Sequence, residues 1–391
     1  MEPPSYENPE ASPSTGTPDT PSIRDTALLS PFLLLPQAPT NLFGRDAIID
    51  DLLGLVERSA SLTLYGAGGI GKTAIALTLL HHVRTAVKFG RHRHFIRCDD
   101  FGGSLDGFVE RLSDAIGVHS MDRAQLRSHL ALSPPCILVL DGVDSILDPL
   151  APGAVEIATT IEEFGRCNNT CILATSRMDI KILDFRHSEV PTLRADDARD
   201  TFYGRCNLGR STAVDKLLAD LDFHPLSIEL LASAVHESDW EEPALLEAWS
   251  DGGTSILRAS GSQSLEDNIQ STLLTPTIRV LGTTVRETLQ TVAAFPGGVQ
   301  ESKLENTFPN IPGVGEAVNA LCKFSLLYRQ DGFVKMLSPF RFYFLESTQT
   351  LAYHSGSGLT RDSTPEATQY SRRYVLTCGL SSSFHQLCVA G

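Results

Sequence analysis

Gly66-Ala67-Gly68-Gly69-Ile70-Gly71-Lys72-Thr73 is the stretch on which the reading of this chain turns. It satisfies the pattern G-x-x-x-x-G-K-[ST] at every fixed position. The apolar run Leu62-Thr63-Leu64-Tyr65 leads into it, and Ala74-Ile75-Ala76-Leu77-Thr78-Leu79-Leu80 leads out. The spacing predicts a buried strand, a glycine loop and a helix. Without a Cβ, the glycines let backbone N–H groups curl around phosphate oxygens. The N-terminus of the following helix adds the positive end of its dipole. In that setting Lys72 reaches the β- and γ-phosphates, and the Thr73 hydroxyl meets Mg2+.

Outward from the loop, the pattern is that of strands alternating with helices. Before it, Leu42-Phe43-Gly44-Arg45-Asp46 opens a helical run from Ala47 to Leu53. After it come His94-Phe95-Ile96-Arg97-Cys98, then Ser104 as an N-cap for a helix over Leu105–Ile116. Cys136-Ile137-Leu138-Val139-Leu140 is apolar throughout, as a strand buried on both faces should be. Asn169–Ala174 is a fourth strand, and a fifth falls near Ser188-Glu189-Val190. This alternation predicts an α/β fold with a doubly wound parallel sheet. Asp141 ends the third strand, at the carboxyl edge where ligands sit in such sheets, and there it is a candidate Mg2+ holder. Asp144, three residues on, either polarises an attacking water or is simply exposed. Arg177, in Thr175-Ser176-Arg177 after the fourth strand, is placed to sense a γ-phosphate.

Beyond Pro191 the strand pattern stops. Helices are predicted over Ala195–Tyr203, Thr212–Leu221, Pro225–Val235 and Ala244–Trp249, with a Gly/Ser-rich loop over Asp251–Ser264 and a further helix over Leu265–Leu274. Helices over Thr284–Phe295, Glu301–Thr307 and Val314–Phe324 then precede two strands, Ser325–Arg329 and Phe333–Met336, joined across Gln330-Asp331-Gly332. Three helices and a hairpin suggest a winged helix. The expected organisation is a Pro/Ser/Thr-rich tail over 1–39, a nucleotide-binding domain over 40–192, a helical subdomain over 193–275, a winged-helix-like subdomain over 276–347 and an unassigned tail over 348–391. The first segment holds nine of the 22 prolines, too polar a composition to bury a core.

The 391 residues call for two or three domains, and a hydrophobic share of 42% suits a globular fold. A net charge of −15 repels phosphate backbones, which disfavours nucleic acid as a partner. The eight cysteines are scattered, and Cys167 and Cys171 have no matching Cys/His pair, so buried thiols are expected rather than zinc or disulfides. No apolar run approaches the ~18–20 residues of a membrane span, and the expected location is cytoplasmic.

Taken in order, these motifs resemble the NB-ARC class of STAND NTPases, the nucleotide switch of apoptosome and plant disease-resistance proteins. Leu42-Phe43-Gly44-Arg45 looks like its adenine-side segment, Gly66–Thr73 its Walker A, Leu138–Asp141 its Walker B and Thr175-Ser176-Arg177 its sensor 1. Leu193, Asp197-Ala198 and Phe202 resemble the run opening its helical subdomain. His224-Pro225-Leu226 looks like the G-L-P-L motif, whose proline, here Pro225, sits by the adenine. The resemblance implies ADP or ATP with Mg2+ as ligands, with Phe43, Gly44, Arg45 and Pro225 joining the loop in holding them. It implies slow ATP hydrolysis, a closed ADP state, an open and self-associating ATP state, and an effector protein downstream. Three positions depart from the pattern. The acid that often follows the Walker B aspartate is Gly142. The first residue of G-L-P-L is His224 or Phe223, depending on alignment. The family's Met-His-Asp motif falls on Met336-Leu337-Ser338, so Leu337 is expected to join the winged-helix core instead of touching phosphate. The alternatives are a degenerate nucleotide binder that does not switch, a constitutive motor, and a DNA-binding regulator. The motor lacks a clear base, and Lys303, Lys323, Arg329, Lys335 and Arg341 are sparse for a groove reader.

Overall fold

The computed structural model describes residues 35–40, 42–98, 104–118, 121–148, 150–151, 153–181, 183–257, 276–295, 297–341 and 343–345. At its centre is a parallel five-stranded sheet made of β1 (Leu62–Tyr65), β2 (Arg93–Arg97), β3 (Cys136–Asp141), β4 (Thr170–Ser176) and β5 (Arg186–Glu189), in the order β2-β3-β4-β1-β5. β4 lies between β1 and β3: its Leu173 pairs with Leu62 on one side and Val139 on the other. The apolar run of β3 is buried up to Asp141, and β4 is buried along its whole length. β5, at one edge, reads Arg-His-Ser-Glu and is largely exposed, a polar edge that discourages further strand pairing.

Helices α1 (Asp46–Glu57), α2 (Lys72–His81) and α3 (Val83–Phe89) pack on one another, with α2 against β3 and β4. Helices α4 (Leu105–Ile116), α5 (Arg123–Leu132) and α6 (Ala154–Gly165) form a second group, with α4 against β2 and α6 against β4. Burial of β3 and β4 on both faces follows from these two layers. α1 buries Ile49, Leu52, Leu53 and Val56, one helical stripe. The Ser104 hydroxyl accepts the Gly107 N–H, which is the cap predicted for α4. α5 and α6 were not anticipated. α5 buries only Leu126 and Leu130, and α6 is rich in the β-branched residues that weaken a helical signal.

The next four helices are α7 (Ala195–Tyr203), α8 (Thr212–Asp220), α9 (Pro225–Ser238) and α10 (Glu242–Gly252), close to expectation. The helix expected over Leu265–Leu274 and the second half of the Gly/Ser-rich loop before it lie outside the described residues. In the first half the loop expectation fails, since α10 runs on to Gly252 and a 3-10 turn follows over Gly253–Ile256. α11 (Pro276–Ala293) is two helical stretches meeting at Gly282, whose φ of 55° and ψ of −125° break the helix. Then come β6 (Val299–Gln300), α12 (Leu304–Thr307), α13 (Val314–Lys323), β7 (Tyr328–Gln330) and β8 (Phe333–Lys335), with an antiparallel sheet in the order β6-β8-β7. Asp331 and Gly332 both have positive φ, as a two-residue hairpin turn demands. The strand expected from Ser325 starts only at Tyr328. Ser325 turns at φ 55°, and the Leu326 and Leu327 amides bond back to Leu321, so these two leucines plug the core instead.

The described residues up to Tyr343 belong to one compact unit. The six described cysteines are thiols, and four of them are buried. Among the described residues, no helix is long and apolar enough to cross a membrane.

Candidate functional site

At the carboxyl edge of the sheet lies a cavity of about 600 Å³. Its wall is built around the glycine loop, and the loop's shape is set by where its carbonyls go. The Lys72 ammonium donates to Gly66 O at 2.9 Å and to Ala67 O at 2.8 Å. His224 Nε2 lies 2.9 Å from Gly68 O, and the Leu226 amide donates to Gly69 O at 3.2 Å. Arg45 donates to Ile70 O at 3.0 Å, and Gly71 O accepts from Ile75 at 2.9 Å. Every carbonyl from Gly66 to Gly71 therefore has a donor, which leaves the loop without a free ring of lone pairs to repel an anion. Gly69 is required here: its φ is 75°, and a Cβ would come within 2.7 Å of Leu226 and 3.0 Å of the His224 ring.

The remaining polar groups converge on the same cavity. Asp141 Oδ1 accepts from the Thr73 hydroxyl at 2.7 Å and from the Thr175 hydroxyl at 2.6 Å, while Thr175 accepts the Gly142 amide at 2.9 Å. A hydroxyl and a carboxylate beside an anion cradle are the hard oxygen donors that suit Mg2+, which keeps several waters and takes few protein ligands. Asp144 is buried. One of its oxygens accepts the Arg177 amide at 2.9 Å, and the other lies 4.0 Å from the Arg177 guanidinium. The Lys72 side chain is part-exposed, yet its ammonium is enclosed by the loop. That desolvation lowers it to about 8, opposed by Asp144 and Asp141 and aided by Arg177. Burial also lowers the Arg45 guanidinium, against the pull of Asp197.

Phe43, Arg45, Gly68, Gly69, Ile70, Gly71, Lys72, Thr73, Asp141, Asp144, Arg177 and Pro225 all line this cavity. Three candidate positions do not. Gly44 has φ 65° and packs against Asp197, where a Cβ would meet that side chain at 2.3 Å. Gly66 and Ala67 line a second cavity, of about 1290 Å³, behind the loop. Leu337 is half-buried and lines this second cavity too. It does not join the core, where its neighbour Met336 is buried instead.

Several lining residues were missed. Arg97 ends β2 directly beside Asp141 in register, so the rule that flagged Asp141 as a strand-end residue would have flagged it as well. Glu229 lies one turn beyond Pro225 on α9 and pairs with Arg205 at 2.9 Å. Thr201, on α7, gave no signal.

No protein-family model and no curated protein matches the chain. Among solved structures, it is similar to a Walker-type ATPase of Pyrococcus abyssi, with a TM-score of 0.57 at 13% identity, over 81% of this chain and 99% of that one. It is also similar, more loosely, to a signal transduction ATPase with numerous domains (STAND) carrying a tetratricopeptide repeat sensor, from Pyrococcus horikoshii. There the TM-score is 0.36 at 13% identity, over 89% of this chain and 47% of that one. Another is the ORC1 protein of Aeropyrum pernix in complex with DNA, with a TM-score of 0.41 at 15% identity, over 83% and 97% of the two chains. The last two superpose too loosely to carry an argument. The first, with the sheet order and the loop, gives the chain a P-loop NTPase fold.

Proposed function

We propose that the chain binds ADP and ATP with Mg2+ in the 600 Å³ cavity and acts as a slowly hydrolysing switch of the STAND type. The observation that carries nucleotide binding is the loop with its carbonyls all bonded away, facing Lys72, Thr73, Asp141 and Arg177 across one cavity. Backbone N–H groups and Lys72 would hold the phosphates, and Thr73 and Asp141 would hold Mg2+, whose contribution is to neutralise phosphate charge. Phe43, Leu193 and Pro225 offer an apolar wall for the base. Arg177 answers to a γ-phosphate, and Asp144, with an oxygen on the Arg177 amide, aims it rather than activating water. Gly142 puts no acid directly after Asp141, which suits slow turnover.

Switching is supported by how the last elements reach the site. Ser325 donates to the Arg177 carbonyl at 2.5 Å, and the Ser338 amide bonds Asp222 at the turn before α9. In this reading residues 40–192, 193–275 and 276–347 are the nucleotide-binding, helical and winged-helix-like subdomains. ADP holds them closed, while ATP opens them toward self-association and an effector protein. A ligand shifts such an equilibrium only through different affinities for the two states. A nucleotide binder that does not switch is the second reading, favoured by the placement of Leu337 away from the phosphate cavity. The test is the nucleotide released when the purified chain is denatured. Bound ADP supports the switch, and an empty protein would contradict it.

A further inference from the structure

His224 stands at the junction of three parts of the chain. It precedes α9, where its ring caps the helix: Nδ1 lies 3.0 Å from the Ser227 hydroxyl and accepts the Ser227 amide at 3.4 Å. Its other nitrogen reaches Gly68, 156 positions earlier in the chain. The ring packs against that of Phe340, centroid to centroid at 5.6 Å and inclined at 66°. The residue has no exposed surface.

The partners dictate the tautomer. A carbonyl only accepts, so Nε2 carries the hydrogen and donates to Gly68 O. An amide N–H only donates, so Nδ1 presents its lone pair to Ser227. Both nitrogens are satisfied by the neutral ring alone. Burial supports this, lowering the imidazole to about 4, with Lys72 and Arg45 pushing the same way against the Gly68 bond. Beside this bond, the Leu226 amide takes Gly69 O, so the start of α9 grips two consecutive carbonyls of the loop.

We infer that His224 is a positioning residue for the phosphate loop, holding the Gly68 peptide turned so that its N–H side faces the nucleotide, with Phe340 fixing the ring from behind. The inference rests on nucleotide binding as proposed above. It gives α9 a role that its apparent function, starting a helix with proline, does not require. A phosphate site loses affinity when its donors must be ordered at the moment of binding.

The test titrates Mg-ADP into the full chain and into two variants. His224→Leu fills the volume but has no donor. His224→Gln carries an amide N–H near the position of Nε2. We expect His224→Leu to weaken binding about tenfold, and His224→Gln to stay within about threefold of the unaltered chain. Equal binding by His224→Leu would overturn the inference, and so would a His224→Gln variant as weak as His224→Leu, since packing alone would then be the role. If the unaltered chain binds no ADP, nucleotide binding itself fails, an outcome distinct from either. Should His224→Leu not fold, the imidazole nitrogen resonances of the unaltered chain decide. A slowly exchanging Nε2–H that shifts on adding ADP supports the inference, and an Nδ1–H tautomer overturns it.

Discussion

The two ends of the phosphate loop are held in different ways. Gly66 and Ala67 bond to Lys72, six and five residues away, inside the same motif. Gly68 and Ile70 bond to His224 and Arg45, 156 and 25 positions away. The first half of the loop carries its own fastening, and the second half borrows it from the start of α9 and from the segment before α1. A glycine-rich motif therefore announces the loop, but its finished shape depends on elements that no local pattern connects to it.

This difference can be broken from the distant end first. His224 is neutral in the folded chain down to a pH of about 4, whereas in the unfolded chain it takes a proton near its ordinary value of 6.5. The unfolded state thus binds the extra proton across that window, and the folded state loses stability as pH falls through it, by about 3 kcal/mol in full. Denaturant unfolding of the unaltered chain and of His224→Gln at pH 7 and pH 4.5 should show most of this difference in the unaltered chain only. Parallel pH profiles would remove the buried neutral histidine from the account.

Breaking the local end comes next. Lys72→Ala removes a charge-assisted contact worth roughly 1.5–3 kcal/mol, or about one to two decades in ADP affinity. Equal affinities would refute the assignment of the loop. Gly69→Ala strikes the middle, forcing a Cβ onto Leu226 at 2.7 Å with φ at 75°. Left-handed backbone alone costs about 1–2 kcal/mol, so the apparent Tm should drop and ADP binding should weaken with it. An unchanged Tm would mean that the start of α9 does not press on the loop.

The smallest effect separates nucleotides. Arg177→Ala should weaken a non-hydrolysable ATP analogue about fivefold while sparing ADP, because only the γ-phosphate lies within its role. Leu337→His should leave the ratio unchanged, since that side chain lines the second cavity. A shift with Leu337→His would place residues 336–338 at the phosphates after all.

Legibility followed the same division. β3 and β4 were readable because burial on both faces writes an unbroken apolar run, and α7 because its ends matched its apolar spacing. Asp141 and Arg177 were readable as polar residues at strand ends. β6, two residues long, has no periodicity to read, and Leu326 and Leu327 looked like strand because a core plug and a strand share composition. His224 reads as the residue before a helix and as a departure from G-L-P-L, and neither points to the loop. Its bond to Gly68 exists through tertiary packing, and so do the placements of Glu229 and Thr201 on the cavity wall.

The central claim is that the cavity before Lys72 takes the phosphates of a nucleotide, and calorimetric titration of Mg-ADP at pH 8 tests it most directly. At that pH Lys72, lowered to about 8, is half-protonated in the free chain, and an arriving phosphate favours its charged form. Comparing buffers of different ionisation enthalpy should reveal saturable binding with uptake of about half a proton, and this uptake should vanish in Lys72→Ala. Absence of saturable binding, or the same proton uptake in Lys72→Ala, would contradict the account.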